Sequence, residues 1–193
     1  VSRALGAQVR REGFEVDPNQ VTDLAESPGP GGTGPFSFLA GTNASDLDQT
    51  IYAIFGELQI PLYDNLNVQV ATRYEDYGGD IGSTFDPKVA VKWQATDSFA
   101  LRGSAQTSFK GPTLNQVDGQ VTTLQFVAPA SAFKAVDQFG NPQLDPESAF
   151  SFNIGALFDN NNGFTASIDY YNFDFEDPII VEDQAEIVPA ALA

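Results

Sequence analysis

The sequence contains neither cysteine nor histidine. These absences exclude a disulfide framework and a zinc site built from Cys and His, and they leave no histidine to act as a base or a ligand. No run approaches the roughly eighteen consecutive apolar residues of a membrane-spanning helix. The first residues, Val1 to Ala4, do not resemble a signal peptide, so we expect the chain to begin inside a longer protein.

Basic residues are also scarce. Nine Lys and Arg stand against 26 Asp and Glu, for a formal net charge of −17. This balance excludes nucleic-acid binding, which needs a basic surface. Eighteen of the acids but only one base, Lys134, fall in four proposed connections, 15–48, 76–84, 111–147 and 174–193. We interpret them as solvated loop surface, with the binding of cations such as Ca²⁺ as the alternative.

What the sequence does have is alternation with period two, the pattern of a β-strand with two different faces. It is clearest between Phe85 and Phe109, where one face is apolar and the other is rich in Lys, Arg, Gln and Ser. The ten steps from Phe99 to Phe109 make roughly 33 Å of strand, which at a tilt of about 45° spans roughly 23 Å. The apolar band of a membrane barrel is about 25 Å tall.

The same pattern predicts seven strands, at 4–14, 50–60, 66–75, 85–94, 99–109, 149–158 and 164–173. Short turns at 61–65, 95–98 and 159–163 alternate with the longer connections, and a short element is expected near 121–127. In an up-and-down meander, all tight turns then lie at one edge of the sheet. Outer-membrane barrels have this asymmetry.

Aromatic residues on the apolar face sort into two groups. One lies near the tight turns and the other near the long loops, where a bilayer would have its two interfaces. The first group is Tyr63, Trp93, Phe99, Phe158 and Phe164; the second is Tyr52, Tyr74, Phe85, Phe109, Phe150 and Tyr170. The alternative is an extracellular β-sandwich that binds carbohydrate, because its core shows the same alternation.

The polar face supplies the candidate functional residues. On a barrel they face the lumen, and we predict that they guide an anionic or hydroxyl-rich substrate: Arg73, Lys88, Lys92, Arg102 and Gln106. The alternative is that the charges, Arg10 included, pair with Glu57, Glu75 and Asp169 and with protein inside the barrel. Ile51 and Phe55 interrupt the polar face and are expected to pack on something in the interior. No carboxylate pair lies beside a base or nucleophile, so we assign no catalytic, cofactor or metal residue and expect no enzyme.

Several blocks of the sequence resemble the β-barrel of TonB-dependent outer-membrane receptors. They occur in order and at family-like spacing between about residues 5 and 180: 55–62 (FGELQIPL), 71–77 (ATRYEDY), 85–93 (FDPKVAVKW), 101–116, 141–147 (NPQLDPE) and 168–172 (IDYYN). The resemblance implies an all-β, antiparallel, up-and-down transmembrane barrel segment, about seven strands of a larger, 22-stranded barrel. On this reading residues 1–193 belong to one barrel domain, without its plug domain, TonB-contacting motif or C-terminal strands.

The resemblance also implies a function. Such receptors take up a scarce nutrient, such as an iron–siderophore complex, a sugar or a vitamin, across the outer membrane of a Gram-negative bacterium. The implied partners are outer-membrane lipid, a small-molecule substrate, and the TonB complex through the missing plug; no cofactor is implied. A passive porin-like channel is the alternative within transport. On either reading, Arg73→Ala should weaken uptake and leave barrel assembly intact.

Overall fold

A computed structural model describes residues 1–19, 21–24, 37–79, 81–183 and 187. Within these ranges the chain forms ten strands: β1 (Ser2–Val16), β2 (Gly41–Thr42), β3 (Ser45–Tyr63), β4 (Leu66–Gly78), β5 (Gly82–Thr96), β6 (Phe99–Lys110), β7 (Gln120–Val127), β8 (Ala132–Phe139), β9 (Glu147–Asp159) and β10 (Thr165–Glu176). The same ranges also contain two short helices, α1 (Ser37–Ala40) and α2 (Leu114–Asp118), and a 3₁₀ turn at Ala128–Ala130. None of the helices in the described ranges is long and apolar enough to cross a membrane.

Seven strands form one open sheet in the order β1-β3-β4-β5-β6-β9-β10. Every neighbouring pair from β3 to β10 is antiparallel. The predicted up-and-down arrangement of seven strands is therefore confirmed. Each strand has one apolar and one polar side. Only one register between neighbouring strands keeps every apolar side on the same face, so the alternation specifies how the strands pair.

The strands are longer than the sequence pattern predicted. β3 has 19 residues, where eleven were expected at 50–60. At about 3.3 Å per residue it extends over roughly 60 Å, much more than the 9–11 residues that cross a bilayer. Most of the excess, residues 45–49, lies on the loop side, where the strand continues although the apolar alternation has stopped.

One predicted connection is wrong. A medium loop was expected at 76–84, but β4 ends at Gly78 and β5 begins at Gly82. The reversal is tight because Gly78, Gly79 and Gly82 all have positive φ, which costs glycine little. Asp76 closes it by accepting a hydrogen bond from the Gly78 amide at 2.8 Å.

The long connections carry structure of their own. β2, β7 and β8 form a separate three-stranded antiparallel sheet, and β7 confirms the element expected near 121–127. The Gly/Pro-rich run at 27–35 lies outside the described residues.

By its contacts the chain divides into two compact units. The first holds most of the seven-stranded sheet (1–10, 50–111 and 145–178), and the second holds the connections and the small sheet (11–49, 112–144 and 179–193).

Candidate functional site

The register of the large sheet places all five predicted lumen residues on one face, called here the inward face. Lys88 lies opposite Gln106 on β6, Lys92 lies opposite Arg102, and Arg73 lies opposite Asp86. Because strand side chains alternate, even-numbered residues of β5 and β6 share this side. The face is a wall of charged, amide and hydroxyl groups.

Arg102 makes a two-point ion pair across a strand. Its Nε and Nη2 donate to Asp169 Oδ1 and Oδ2 at 2.9 and 2.6 Å. The intervening β9 residue is Gly155, where an added Cβ would lie 2.0 Å from Asp169 Oδ1 and 3.0 Å from Arg102 Nε. The glycine is therefore the gap through which the guanidinium reaches the carboxylate on β10.

Arg73 is held in a second network nearer the loops. It pairs with Glu75 and donates to Gln8 on β1 at 2.7 Å. Its guanidinium carbon lies 5.5 Å from the centroid of the Phe55 ring, a cation–π arrangement. Opposite this ring, Gly6 leaves the space that a side chain would fill. The network explains why an aromatic residue stands on a polar face.

Glu75 is the most buried charged group of the wall, at 4% exposure. Besides Arg73, it accepts a hydrogen bond from the Tyr77 hydroxyl at 2.9 Å. Tyr77 lies three residues beyond Tyr74, on the loop side. Burial, followed by the hydrogen bond to Glu75, raises the pKa of Tyr77 to about 12.

Smaller polar pairs line the rest of the wall. Lys110 pairs with Glu147 at 3.1 Å, and Gln69 donates to Glu57 at 2.8 Å. Between these pairs the wall has a shallow depression of about 710 Å³. Its lining combines three cationic side chains with amides and a hydroxyl: Lys88, Lys92, Arg102, Gln59, Gln69 and Ser104. Ile51, the other predicted exception on this face, is buried at 2% exposure.

Three inward aromatic residues follow one another on β10, of which the sequence pattern had placed only Tyr171 on this face. Tyr171, Phe173 and Phe175 alternate along the strand, with ring centroids 6.0 and 6.3 Å apart. All three are exposed. The signal was present, because the period of two continues beyond the predicted end of the strand at Phe173.

The opposite, outward face has a charge-free band. Between the two aromatic groups, no charged residue occupies an outward position of β3, β4, β5, β6, β9 or β10, all of which are described. Most of the larger side chains in the band stay exposed, among them Ile54, Leu58, Val70, Val89, Val91, Ile154 and Ile168. Beyond the band, on the loop side, outward positions become acidic: Asp46, Asp48, Asp76, Asp174 and Glu176.

The aromatic residues that bound this band form two rows that run obliquely over the sheet. The turn-side row is Tyr63, Trp93, Phe99, Phe158 and Phe164, and the loop-side row is Tyr52, Tyr74, Phe85, Phe109, Phe150 and Tyr170. Phe109 differs from the other members of its row, because its ring is half-buried and lies edge-on at 5.8 Å to Tyr77, whose hydroxyl bonds to the inward carboxylate of Glu75.

Relative to the ladder, both rows shift toward the tight turns over the five steps from β3 to β10, the turn-side row by four residues and the loop-side row by eight. The mean shift of about 1.2 residues per step, roughly 4 Å along the strand for about 4.8 Å across the sheet, corresponds to a strand tilt of roughly 40°. The strands of outer-membrane barrels are tilted by roughly 35–45°. On average the rows are therefore inclined to the strands as two membrane interfaces would be on a barrel wall.

Comparison with known proteins identifies the family of this sheet. The model of the TonB dependent receptor-like β-barrel matches residues 3–189. Among curated relatives, the iron-regulated outer membrane virulence protein of Vibrio cholerae is 25% identical over 141 residues, 72% of this chain and 20% of the relative. The probable TonB-dependent siderophore receptor PirA of Acinetobacter baumannii is 24% identical over 151 residues, 77% of this chain and 20% of the relative. The chain thus spans about one fifth of the length of these relatives.

Solved structures show the same fold. The siderophore receptor PirA of A. baumannii superposes with a TM-score of 0.71 and 22% identity, covering 91% of this chain and 24% of that one. A mutant of the ferric enterobactin receptor PfeA of Pseudomonas aeruginosa, in complex with enterobactin, gives a TM-score of 0.71 at 17% identity, covering 90% of this chain and 24% of that one. In both cases the chain corresponds to about a quarter of the larger receptor.

Proposed function

Because the chain belongs to the TonB-dependent receptor β-barrel family, whose barrels lie in the outer membrane of Gram-negative bacteria, we propose that it forms one section of a receptor wall through which an iron–siderophore complex is taken up with energy from TonB. The observation that carries the proposal is the charge-free outward band set against the charged inward face of one continuous sheet. A wall between lipid and a wet lumen needs this division.

Lipid is the partner that fits the outward band. Its apolar side chains are exposed, and a continuous apolar surface of this extent is a liability in water. The aromatic rows lie at its two limits, where amphipathic rings are favoured at membrane interfaces. The acids beyond the loop-side row would then stand outside the hydrocarbon, in the headgroup region or water.

Siderophore uptake is supported by the relatives. Two of them are named an iron-regulated outer membrane protein and a probable siderophore receptor, and a solved neighbour holds enterobactin. The inward wall offers ammonium, guanidinium, amide and hydroxyl groups, which suit an oxygen-rich solute.

The test uses the full-length receptor that contains this chain. A strain lacking the receptor gene should lose uptake of ⁵⁵Fe carried by one siderophore class and regain it on complementation, but only when TonB is intact. Uptake that persists without TonB would favour a passive channel. Normal uptake of every iron chelate in the deletion strain would refute a role in iron acquisition.

A further inference from the structure

Two lysines stand out on the inward face of β5. Lys88 and Lys92 are four residues apart, about 13 Å along the strand, and both line the 710 Å³ depression. In the part of the chain that the structure describes, neither ammonium has a hydrogen bond or an ion pair. Their side chains are long and flexible enough to converge on one group lying between them.

Three other inward cations have their charges offset. Arg73 pairs with Glu75, Arg102 with Asp169, and Lys110 with Glu147. Lys88 and Lys92 differ from these three cations in having no ion pair among the described residues.

The surroundings of the depression favour an anion. No carboxylate is among the described residues that line it, in a chain whose formal net charge is −17. Lys92 also lies directly opposite Arg102, and like charges at such positions cost stability. Asp169 lowers this cost because it offsets the charge of Arg102, but its carboxylate is thereby occupied and not available to Lys92.

Arginine and lysine side chains suit different kinds of contact, and this difference indicates what the two lysines bind. A guanidinium is a rigid planar donor that suits a fixed, two-point pair, and the wall uses Arg102 in that way. An ammonium is a compact, hydrated point charge on a mobile stem, which suits brief contacts with a moving ligand.

We propose that Lys88 and Lys92 together form a contact site for an oxygen-rich organic anion that passes along the lumen wall. The proposal rests on the function proposed above and names the residues that favour negatively charged chelates. A carboxylate-bearing protein segment that occupies the barrel interior is the competing occupant.

The first experiment measures the reactivity of the two lysines directly and does not depend on a transport assay. The full-length receptor in detergent is treated with an amine-acetylating reagent, and the acetylation rates of Lys88 and Lys92 are measured by mass spectrometry with citrate or with NaCl at equal ionic strength. We expect both lysines to react in NaCl and to be slowed several-fold by citrate, while Lys134, on β8, reacts equally in both. Failure of Lys88 and Lys92 to react would mean that a protein segment covers them, and equal rates in citrate and NaCl would mean that they do not hold anions. Either result overturns the proposal.

The second experiment measures selectivity in cells. The double variant Lys88→Gln/Lys92→Gln should lower uptake of an anionic ferric tris-catecholate by about tenfold, the loss expected for a charged hydrogen bond. Uptake of a neutral ferric trihydroxamate should not change, and Lys134→Gln should affect neither chelate. An equal loss for both chelates, at normal receptor levels in the outer membrane, would contradict the proposal. If neither chelate is taken up by the unaltered receptor, the proposed function fails, and the acetylation experiment still decides on the lysines.

Discussion

Replacing Val70 by arginine tests whether lipid covers the outward band. Val70 lies on β4, four residues from Tyr74 and four from Leu66, which is opposite Trp93. At about 3.3 Å per residue and a tilt of roughly 40°, it is about 10 Å in height from either aromatic row, near the middle of the proposed bilayer. An arginine there should cost about 2–4 kcal/mol, which lowers the folding equilibrium constant roughly 30- to 800-fold.

The neighbouring residue provides a matched control. Gln69 occupies the inward face and donates to Glu57 at 2.8 Å. In Gln69→Arg the new guanidinium would meet a carboxylate and water instead of hydrocarbon. We therefore expect a change below about 1 kcal/mol, the range of exposed ion pairs.

The measurement is urea unfolding of the full-length receptor in phosphatidylcholine vesicles, followed by tryptophan fluorescence. The midpoint for Val70→Arg should fall well below that of the unaltered receptor, and the midpoint for Gln69→Arg should stay close to it. Equal midpoints for the two variants would show that the two faces meet the same solvent. A larger fall for Gln69→Arg would reverse the assignment of inside and outside.

Three further variants test the inward networks. Gly155→Ala should break the two-point pair of Arg102 and lower thermal stability, because a Cβ cannot fit there; an unchanged melting temperature would contradict this. Contrary to the expectation from the sequence, Arg73→Ala should lower assembly as well as uptake, since it leaves the buried Glu75 carboxylate without its cation, and Glu75→Gln in the same chain should restore part of the assembly measured on unheated gels. Because the pKa of Tyr77 is about 12, above that of a free phenol at about 10, the unfolded chain loses this proton first, so folded stability should fall above about pH 10; Tyr77→Phe should lessen that fall in urea titrations.

The sheet could be predicted from the sequence because apolar residues recur with a period of two, which places apolar side chains on one face and polar side chains on the other. All seven strands, their order and their faces follow from where apolar residues recur. The strand ends were missed on the loop side for the same reason. At Asp46 and Asp48 the outward positions are charged, so the apolar alternation disappears although the strand continues. At Asp174 the alternation continues, but with the apolar residues Phe173 and Phe175 on the inward face. Gly78 and Gly79 were interpreted as part of a medium loop at 76–84, since composition alone does not distinguish such a loop from a tight reversal.

The candidate site was predicted in its residues but not in its partners. Alternation was sufficient to place Arg73, Lys88, Lys92 and Arg102 on one face. It could not show that Arg102 has a carboxylate two strands away, because that contact joins residues 67 positions apart in sequence. The distinction between paired arginines and lysines without described partners therefore comes from the fold.

The two limits of the proposed membrane-facing band account for where charged residues occur on the large sheet. If lipid covers the band as proposed, burial in hydrocarbon would make a charge costly there, and outward positions are indeed neutral from one aromatic row to the other. Past the loop-side row that cost would vanish, and the outward residues Asp76, Asp174 and Glu176 follow within a few positions of the row. The inward side would face the lumen instead of hydrocarbon, so cations are allowed within the band, where Lys88 lies near the middle and Lys92 lies beside Trp93 of the turn-side row. A soluble sheet also alternates charged and apolar residues, as Lys88 and Val89 do, but it would have no reason to exclude charge from its outward face up to one height across six strands.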